Sequence, residues 1–180
     1  LIEPSSKTSY RREITWGVFN EKANRFANLL IQRGIKKGDK VAILMMNGLE
    51  WLPIYFGILK TGVLAVPLNF RYSAEEIEYC VNLAEADILV FSNPFIGRVE
   101  EIADRISKGR LLIYVGEGCP GFADDYNSLS ANCSSQSPMV HLTDEDYAAI
   151  YFSSGTTGFP KAILHKHRSL VHSCMVEQNH

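Results

Sequence analysis

The sequence lacks several features that would assign it to a special class of protein. Its four cysteines, Cys80, Cys119, Cys133 and Cys174, form no CxxC pair, so their spacing favours neither a zinc site nor a small disulfide scaffold. We therefore predict free thiols in a reducing cytosol. No basic cluster is present and the net charge is −2. Nucleic acid and acidic membranes are therefore not expected as obligatory partners.

Long apolar runs are also absent. The longest is too short to cross a bilayer, so no transmembrane segment is expected. No secretory or lipidation motif is found at the first residues. Because Leu1 is not a start methionine, the alternative that a leader has been removed stays open. The hydrophobic content of 46% and charged content of 21% are those of an ordinary globular protein. With 180 residues, the chain is one large domain or a part of something larger.

Short apolar runs alternate with helical patterns in the first two thirds of the chain. Strands are predicted at residues 40–46, 64–68, 87–92 and 111–115, and helices at residues 15–33, 49–61, 73–84 and 95–107. Ser73 and Glu76 fit a capping box, and Gly34 and Gly62 are placed to end the first two helices. This alternation predicts an α/β fold with a mostly parallel, helix-covered sheet.

Residues 116–146 interrupt the alternation, because they are rich in glycine, proline and serine. Such a composition is also typical of a domain linker. We favour a long surface loop inside the domain, with one helical turn near residues 126–130, because a predicted strand follows at once at 147–152. A short returning strand at 162–165 and a helix from Arg168 complete the prediction.

The most informative segment is residues 153–161, Ser-Ser-Gly-Thr-Thr-Gly-Phe-Pro-Lys, directly after an apolar run. Its glycines allow positive φ and close backbone approach, its amides can form an anion-binding concavity, and Lys161 adds a compact charge. Gly155 and Gly158 are three residues apart and Pro160 precedes the lysine, so this is not the common nucleotide-binding loop. A loop of this composition is more often a simple surface hairpin rich in turn residues, but this particular order of residues favours a loop that holds a polyphosphate.

This segment closely resembles the phosphate-binding motif of the adenylate-forming enzymes. These include acyl-CoA synthetases, firefly-luciferase-like proteins and the adenylation domains of peptide synthetases. The resemblance extends along nearly the whole chain. Residues 14–16 and 23–27 are similar to the family's first helix, residues 38–43 to its first core strand, and residues 57–69 to the helix and strand that follow. One departure is Ala162, where the family usually has glycine; its methyl group removes no hydrogen-bond donor.

The resemblance implies a reaction in two steps. A carboxylate attacks the α-phosphate of Mg-ATP to give an acyl-adenylate and pyrophosphate, and a thiol, usually coenzyme A, then takes the acyl group. ATP, Mg²⁺, coenzyme A and a small-molecule carboxylic acid are thus the expected cofactors and substrates. The matching residues are assigned by resemblance to the β- and γ-phosphates: Ser153, Ser154, Gly155, Thr156, Thr157, Gly158 and Lys161. The hydroxyls of Thr156 and Thr157 are expected to donate hydrogen bonds, and Lys161 to offset negative charge.

The family's remaining site residues are expected further along the chain. By resemblance, its magnesium-binding glutamate, ribose-binding aspartate, adenine pocket, adenylating lysine and most of its acyl pocket lie downstream of His180. We therefore expect residues 1–180 to be an incomplete N-terminal portion of the AMP-binding domain, inactive alone and without the C-terminal lid domain. The parent protein is expected to be a cytoplasmic carboxylic acid–CoA ligase.

Two alternatives stay open for the function. One is a non-catalytic nucleotide-binding fragment, and the other is a luciferase-like or peptide-synthetase adenylation domain. Residues 66–69 and 73–77 look more like those of fatty-acyl and aryl-acid CoA ligases, which favours the ligase. The sequence does not reveal the acyl chain length, whether the acid is aromatic or aliphatic, or the oligomeric state.

Three histidines near the motif have a more ordinary interpretation than a metal site. His165 and His167 share one face of the predicted strand, and His172 is near in sequence. Loosely spaced histidines are more often solvated or hydrogen-bonded than metal ligands. The family often has a histidine that matches His167, and we expect this residue to support the local structure.

Other candidate groups are also expected to be structural. The acidic residues 144–146 and the lysines at 36, 37 and 40 are predicted to be solvated, although a magnesium role for the acidic run is the alternative. Trp51, Tyr55 and Phe56 are expected in the core rather than in an acyl pocket.

Overall fold

The computed structural model describes residues 2–3, 12–106, 110–153 and 159–178. The strands in these ranges are β1 Ile2–Glu3, β2 Arg12–Glu13, β3 Lys40–Leu44, β4 Leu64–Pro67, β5 Ile88–Ser92, β6 Leu111–Val115, β7 Asp124–Asp125, β8 Tyr147–Ser153 and β9 Lys161–Lys166. The helices are α1 Trp16–Gln32, α2 Trp51–Leu59, α3 Ala74–Leu83, α4 Ile96–Ile106, α5 Tyr126–Ala131 and α6 His167–Gln178. A 3₁₀ turn at Asn93–Phe95 precedes α4.

Seven strands form one sheet in the order β7-β6-β5-β3-β4-β8-β9. All neighbouring strands in it are parallel except β8 and β9, which are antiparallel. This confirms the predicted mostly parallel sheet. The separate antiparallel pair of β1 and β2 was not predicted, because two-residue strands give no periodic pattern.

Helices cover both faces of the sheet. On one face, side chains of α1, α2 and α5 pack together, among them Phe26, Ile54 and Tyr126. On the other face, α3 and α4 pack through residues such as Ile77 and Ile102. The central strands are buried on both sides, which is why they are continuous apolar runs rather than alternating patterns.

Local signals fix the helix ends as expected. The hydroxyl of Ser73 accepts a hydrogen bond from the amide of Glu76, and the Glu76 carboxylate accepts one from the amide of Ser73, so the predicted capping box is confirmed. The hydroxyl of Thr15 likewise accepts from the amide of Val18 at the start of α1. After this helix the chain turns at Gly34 with φ of +78°, a conformation that favours glycine.

The segment 116–146 is more firmly held than a surface loop. The predicted helical turn is confirmed as α5, but β7 also extends the sheet beside β6. Side chains of α1 hold the stretch that follows α5: the amide of Asn24 donates to Ser135 O at 2.8 Å, and the guanidinium of Arg25 donates to Cys133 O at 2.6 Å. No local pattern predicts these contacts, because the groups lie more than 100 positions apart in sequence.

One of the predicted surface lysines pairs with the acidic run, whose other cationic partners belong to β9 and α6. The ammonium of Lys37 donates to Asp146 Oδ2 at 2.7 Å, and the amide of Thr143 donates to the same oxygen at 2.8 Å. Similarly, Glu145 pairs with Lys166 at 2.8 Å and with Arg168. These pairs connect the segment before β8 to the turn between α1 and β3, to the end of β9 and to the start of α6.

A pH dependence of stability follows from the Asp146 contacts. The hydrogen bond from Lys37, followed by that from Thr143, lowers the pKa of Asp146 to about 2. The folded chain then binds fewer protons than the unfolded chain, so this carboxylate stabilises the fold above its unfolded pKa of about 3.9 and ceases to do so as pH falls towards 2. We predict that Lys37→Met destabilises the protein near neutral pH and that the difference from wild type disappears on acidification.

Urea unfolding between pH 7 and pH 2 measures this effect. Lys36→Met is the matched control, because it removes a neighbouring ammonium outside the pair with Asp146. A stability difference between Lys37→Met and wild type that stays constant over the whole pH range would contradict the prediction.

Candidate functional site

The hydroxyl-rich motif connects two adjacent antiparallel strands. β8 ends at Ser153, β9 begins at Lys161, and these two residues are partners across the pair. Ser154, Gly155, Thr156, Thr157 and Gly158 lie outside the described residues. Ser153 and Lys161 are therefore the two expected phosphate ligands whose position is known, and the fold brings them together. Because β8 is parallel to β4, the motif starts at the carboxyl edge of the sheet, where α/β folds bind ligands.

The side chain of Lys161 is accessible at this edge. Lys161 is exposed and Ser153 is half-buried. Among the described residues, no carboxylate forms an ion pair with Lys161. An accessible ammonium beside a hydroxyl provides a charge and a donor for an anionic ligand.

An aromatic contact holds the far end of the motif. The ring of Phe159 lies against the ring of Tyr79 on α3, with centroids 4.6 Å apart. Pro160, the next residue, is buried. The sequence did not point to Tyr79, since nothing local relates a residue on α3 to one that is 80 positions later.

A hydrogen-bonded tyrosine pair fixes β8 from the other face of the sheet. The hydroxyl groups of Tyr55 on α2 and Tyr151 on β8 lie 2.7 Å apart. Tyr151 also contacts the ring of His165 on β9, with centroids 5.0 Å apart. Burial, and then the bond to Tyr151, raises the pKa of Tyr55. Tyr55 therefore stays neutral near physiological pH and acts as a hydrogen-bonding group rather than as an acid or base.

An apolar cavity of about 760 Å³ lies between α2 and α6, with Tyr55, Phe56 and Tyr151 in its lining. Tyr55 is 8% exposed, as a core residue should be, but Phe56 is 43% exposed. The expectation that Phe56 belongs to the core was therefore wrong. Successive helical residues point about 100° apart, so an aromatic pair such as Tyr55 and Phe56 places only one ring towards the sheet.

The histidines near the motif occupy different environments. His172 is exposed, whereas Nε2 of His167 is buried and finds no hydrogen-bond partner in the described part of the chain. Burial lowers the pKa of His167, against an opposing effect of Asp146. The amide of His167 donates to Asp146 O at 3.0 Å. Across the described ranges, no group of three histidine, cysteine, aspartate or glutamate residues is arranged to hold a metal ion.

The cysteines are free thiols, as predicted, with Cys80 and Cys133 buried. Burial raises the pKa of Cys80 to about 12, so this thiol is not a nucleophile at neutral pH. In the residues that the structure covers, no helix is both long and apolar enough to cross a membrane.

Comparison with known proteins assigns the chain to a family. The family model for the AMP-binding enzyme matches residues 4–179. The chain belongs to the AMP-binding enzyme family. The mostly parallel sheet of this AMP-binding chain matches the N-terminal domain of adenylate-forming CoA ligases.

Several relatives of this AMP-binding chain are CoA ligases. It is 32% identical over 173 residues to the long-chain-fatty-acid–CoA ligase FadD13 of Mycobacterium tuberculosis, covering 96% of this chain and 32% of the relative. It is 29% identical over 185 residues to the 3-hydroxybenzoate–CoA/4-hydroxybenzoate–CoA ligase of Thauera aromatica, covering 100% of this chain and 35% of the relative. The chain thus spans about a third of the length of these relatives.

A solved structure shows the same fold. The anthranilate CoA ligase AuaEII, in complex with anthranoyl-AMP, superposes with a TM-score of 0.84 and 28% sequence identity, over 91% of this chain and 32% of that one.

Proposed function

We propose that the protein to which this chain belongs is an ATP-dependent carboxylic acid–CoA ligase that acts through an acyl-adenylate. The carrying observation is the Ser/Thr/Gly motif that follows the carboxyl end of β8, where Ser153 is the cross-strand partner of the exposed Lys161. Family membership and the CoA-ligase relatives support the same reaction. The proposal treats residues 1–180 as an incomplete N-terminal portion of the AMP-binding domain.

The proposed role of the motif is to hold the β- and γ-phosphates of ATP. The assigned residues are Ser153, Ser154, Gly155, Thr156, Thr157, Gly158 and Lys161. As pyrophosphate leaves, negative charge grows on its oxygens, and hydroxyl and amide donors stabilise that charge when they are already in place. The ammonium of Lys161 adds a positive charge that needs no proton transfer.

The proposed substrates are an apolar or aryl carboxylic acid, Mg-ATP and coenzyme A. The relatives named for fatty acids and hydroxybenzoates support this acid class, as do residues 66–69 and 73–77 of the sequence. Mg²⁺ is proposed to accompany ATP, as the resemblance to the family implies. Four free thiols support a cytoplasmic location.

ATP–pyrophosphate exchange with a panel of carboxylic acids tests the proposal. We expect exchange with a version that extends through the region matched to the rest of the CoA ligases, and none with residues 1–180 alone. Exchange by residues 1–180 alone would overturn the idea that they are an incomplete site. If the longer version binds ATP but exchanges with no acid, the non-catalytic alternative is correct.

The second substrate is decided separately. The acyl-adenylate formed in the exchange assay is offered either coenzyme A or a carrier-protein thiol. Release of the acyl-CoA supports the ligase, whereas transfer to the carrier protein alone supports a peptide-synthetase adenylation domain.

A further inference from the structure

The two ends of the proposed phosphate loop are held in different ways. The near end continues from β8, whose Tyr151 is hydrogen-bonded to Tyr55 on one face of the sheet. The far end is held on the opposite face, where Phe159 lies against Tyr79 with an interplanar angle of 33°. Phe159 remains 52% exposed, so burial in the core does not account for its position.

Tyr79 stands on a firmly held helix. Ile77, Cys80 and Val81 of α3 are all fully buried. The capping box fixes the start of this helix, and Glu78 accepts a hydrogen bond of 2.8 Å from Arg105 of α4. The ring of Tyr79 is therefore a rigid surface against which a loop residue can be placed.

Lys161 lies two residues after Phe159. The stack of Phe159 on Tyr79 is therefore close in sequence to the ammonium that is proposed to bind phosphate. We propose that Tyr79 is a positioning residue for the phosphate-binding motif: through its stack on Phe159 it sets where Lys161 stands when its ammonium meets the phosphates of ATP. This inference rests on the proposed function.

A purely structural role for Tyr79 is the competing explanation, because its ring also packs against the core on the α3 side. Two substitutions separate the explanations. Tyr79→Phe keeps the aromatic ring and thus the stack, whereas Tyr79→Leu keeps an apolar side chain for packing but removes the ring. Leu83→Ala is the matched control, since Leu83 is a half-exposed residue one turn further along α3.

In the intact protein, we expect Tyr79→Leu to lower kcat/KM for ATP in pyrophosphate exchange by about 3- to 10-fold, the range that an aromatic pair provides. In Tyr79→Leu, KM for the carboxylic acid should stay at the wild-type value. In Tyr79→Phe and Leu83→Ala, both kcat/KM for ATP and KM for the acid should stay at wild-type values. Phe159→Leu should match Tyr79→Leu, and combining the two should add little, because both remove one contact. Equal loss in all variants, or full additivity of the pair, would overturn the proposal.

Hydrogen exchange of residues 153–161 without nucleotide provides a readout that does not depend on activity. We expect faster exchange in Tyr79→Leu and Phe159→Leu but not in Leu83→Ala. Unchanged exchange in the first two variants overturns the inference even if the enzyme is an active ligase. If wild type shows no pyrophosphate exchange with any acid, the proposed function fails, and hydrogen exchange still decides whether Tyr79 positions the loop.

Discussion

Replacing Lys161 with alanine is expected to lower kcat/KM for ATP by about 100-fold in the intact protein, which is the usual effect of removing one stabilising group from a developing anion. The side chain is exposed at the start of β9 and makes no ion pair in the described residues, so its loss should hardly alter folding. Thermal unfolding should therefore remain close to that of wild type.

The same strand supplies the control for this prediction. Lys166 is also a lysine of β9, but its ammonium pairs with Glu145 at 2.8 Å, at the end of the strand away from the motif. Lys166→Ala should leave ATP kinetics unchanged, because this ammonium lies away from the motif, and the lost ion pair is exposed and contributes little to stability. Wild-type ATP kinetics in Lys161→Ala would remove Lys161 from the phosphate site, and an equal loss in Lys166→Ala would indicate a general effect of charge.

The sequence predicted the elements of the main sheet well because their signals are local. β3 and β5 are buried on both faces and therefore appear as unbroken apolar runs. α3 begins where the capping box at Ser73 and Glu76 places its start. Such patterns can be interpreted from neighbouring residues alone, so they do not require knowledge of the tertiary structure.

The contacts that surround the candidate site were not predictable in the same way. The stack of Tyr79 on Phe159 and the hydrogen bond of Tyr55 to Tyr151 each join residues 80 or more positions apart. No periodicity relates such residues, because their proximity depends on strand order in the sheet. Phe56 was wrongly placed in the core for a related reason: α2 is apolar, but only its packing against α1 and the sheet shows which of its faces is covered.

The close approach of α1 and α2 gives the second large expected effect. Gly57 lies within α2, and a Cβ atom there would stand 2.7 Å from the carbonyl oxygen of Ala23 and 3.1 Å from Cβ of Phe26. The nearest atom belongs to the backbone of α1, so a rotamer change cannot relieve the clash. We expect Gly57→Ala to destabilise the protein by about 2 kcal/mol, within the usual range for overpacking a core.

Gly97 provides a control of opposite sign. It also lies in a helix, α4, but is exposed, and a Cβ atom there would have no neighbour within 4 Å. Gly97→Ala should therefore stabilise the protein by about 0.5–1 kcal/mol, because alanine restricts the unfolded chain and favours the helix. Urea unfolding of both variants measures the difference. If Gly57→Ala were as stabilising as Gly97→Ala, the gain in helix propensity would outweigh the clash with Ala23. Close packing of α1 on α2 would then not explain the glycine at position 57.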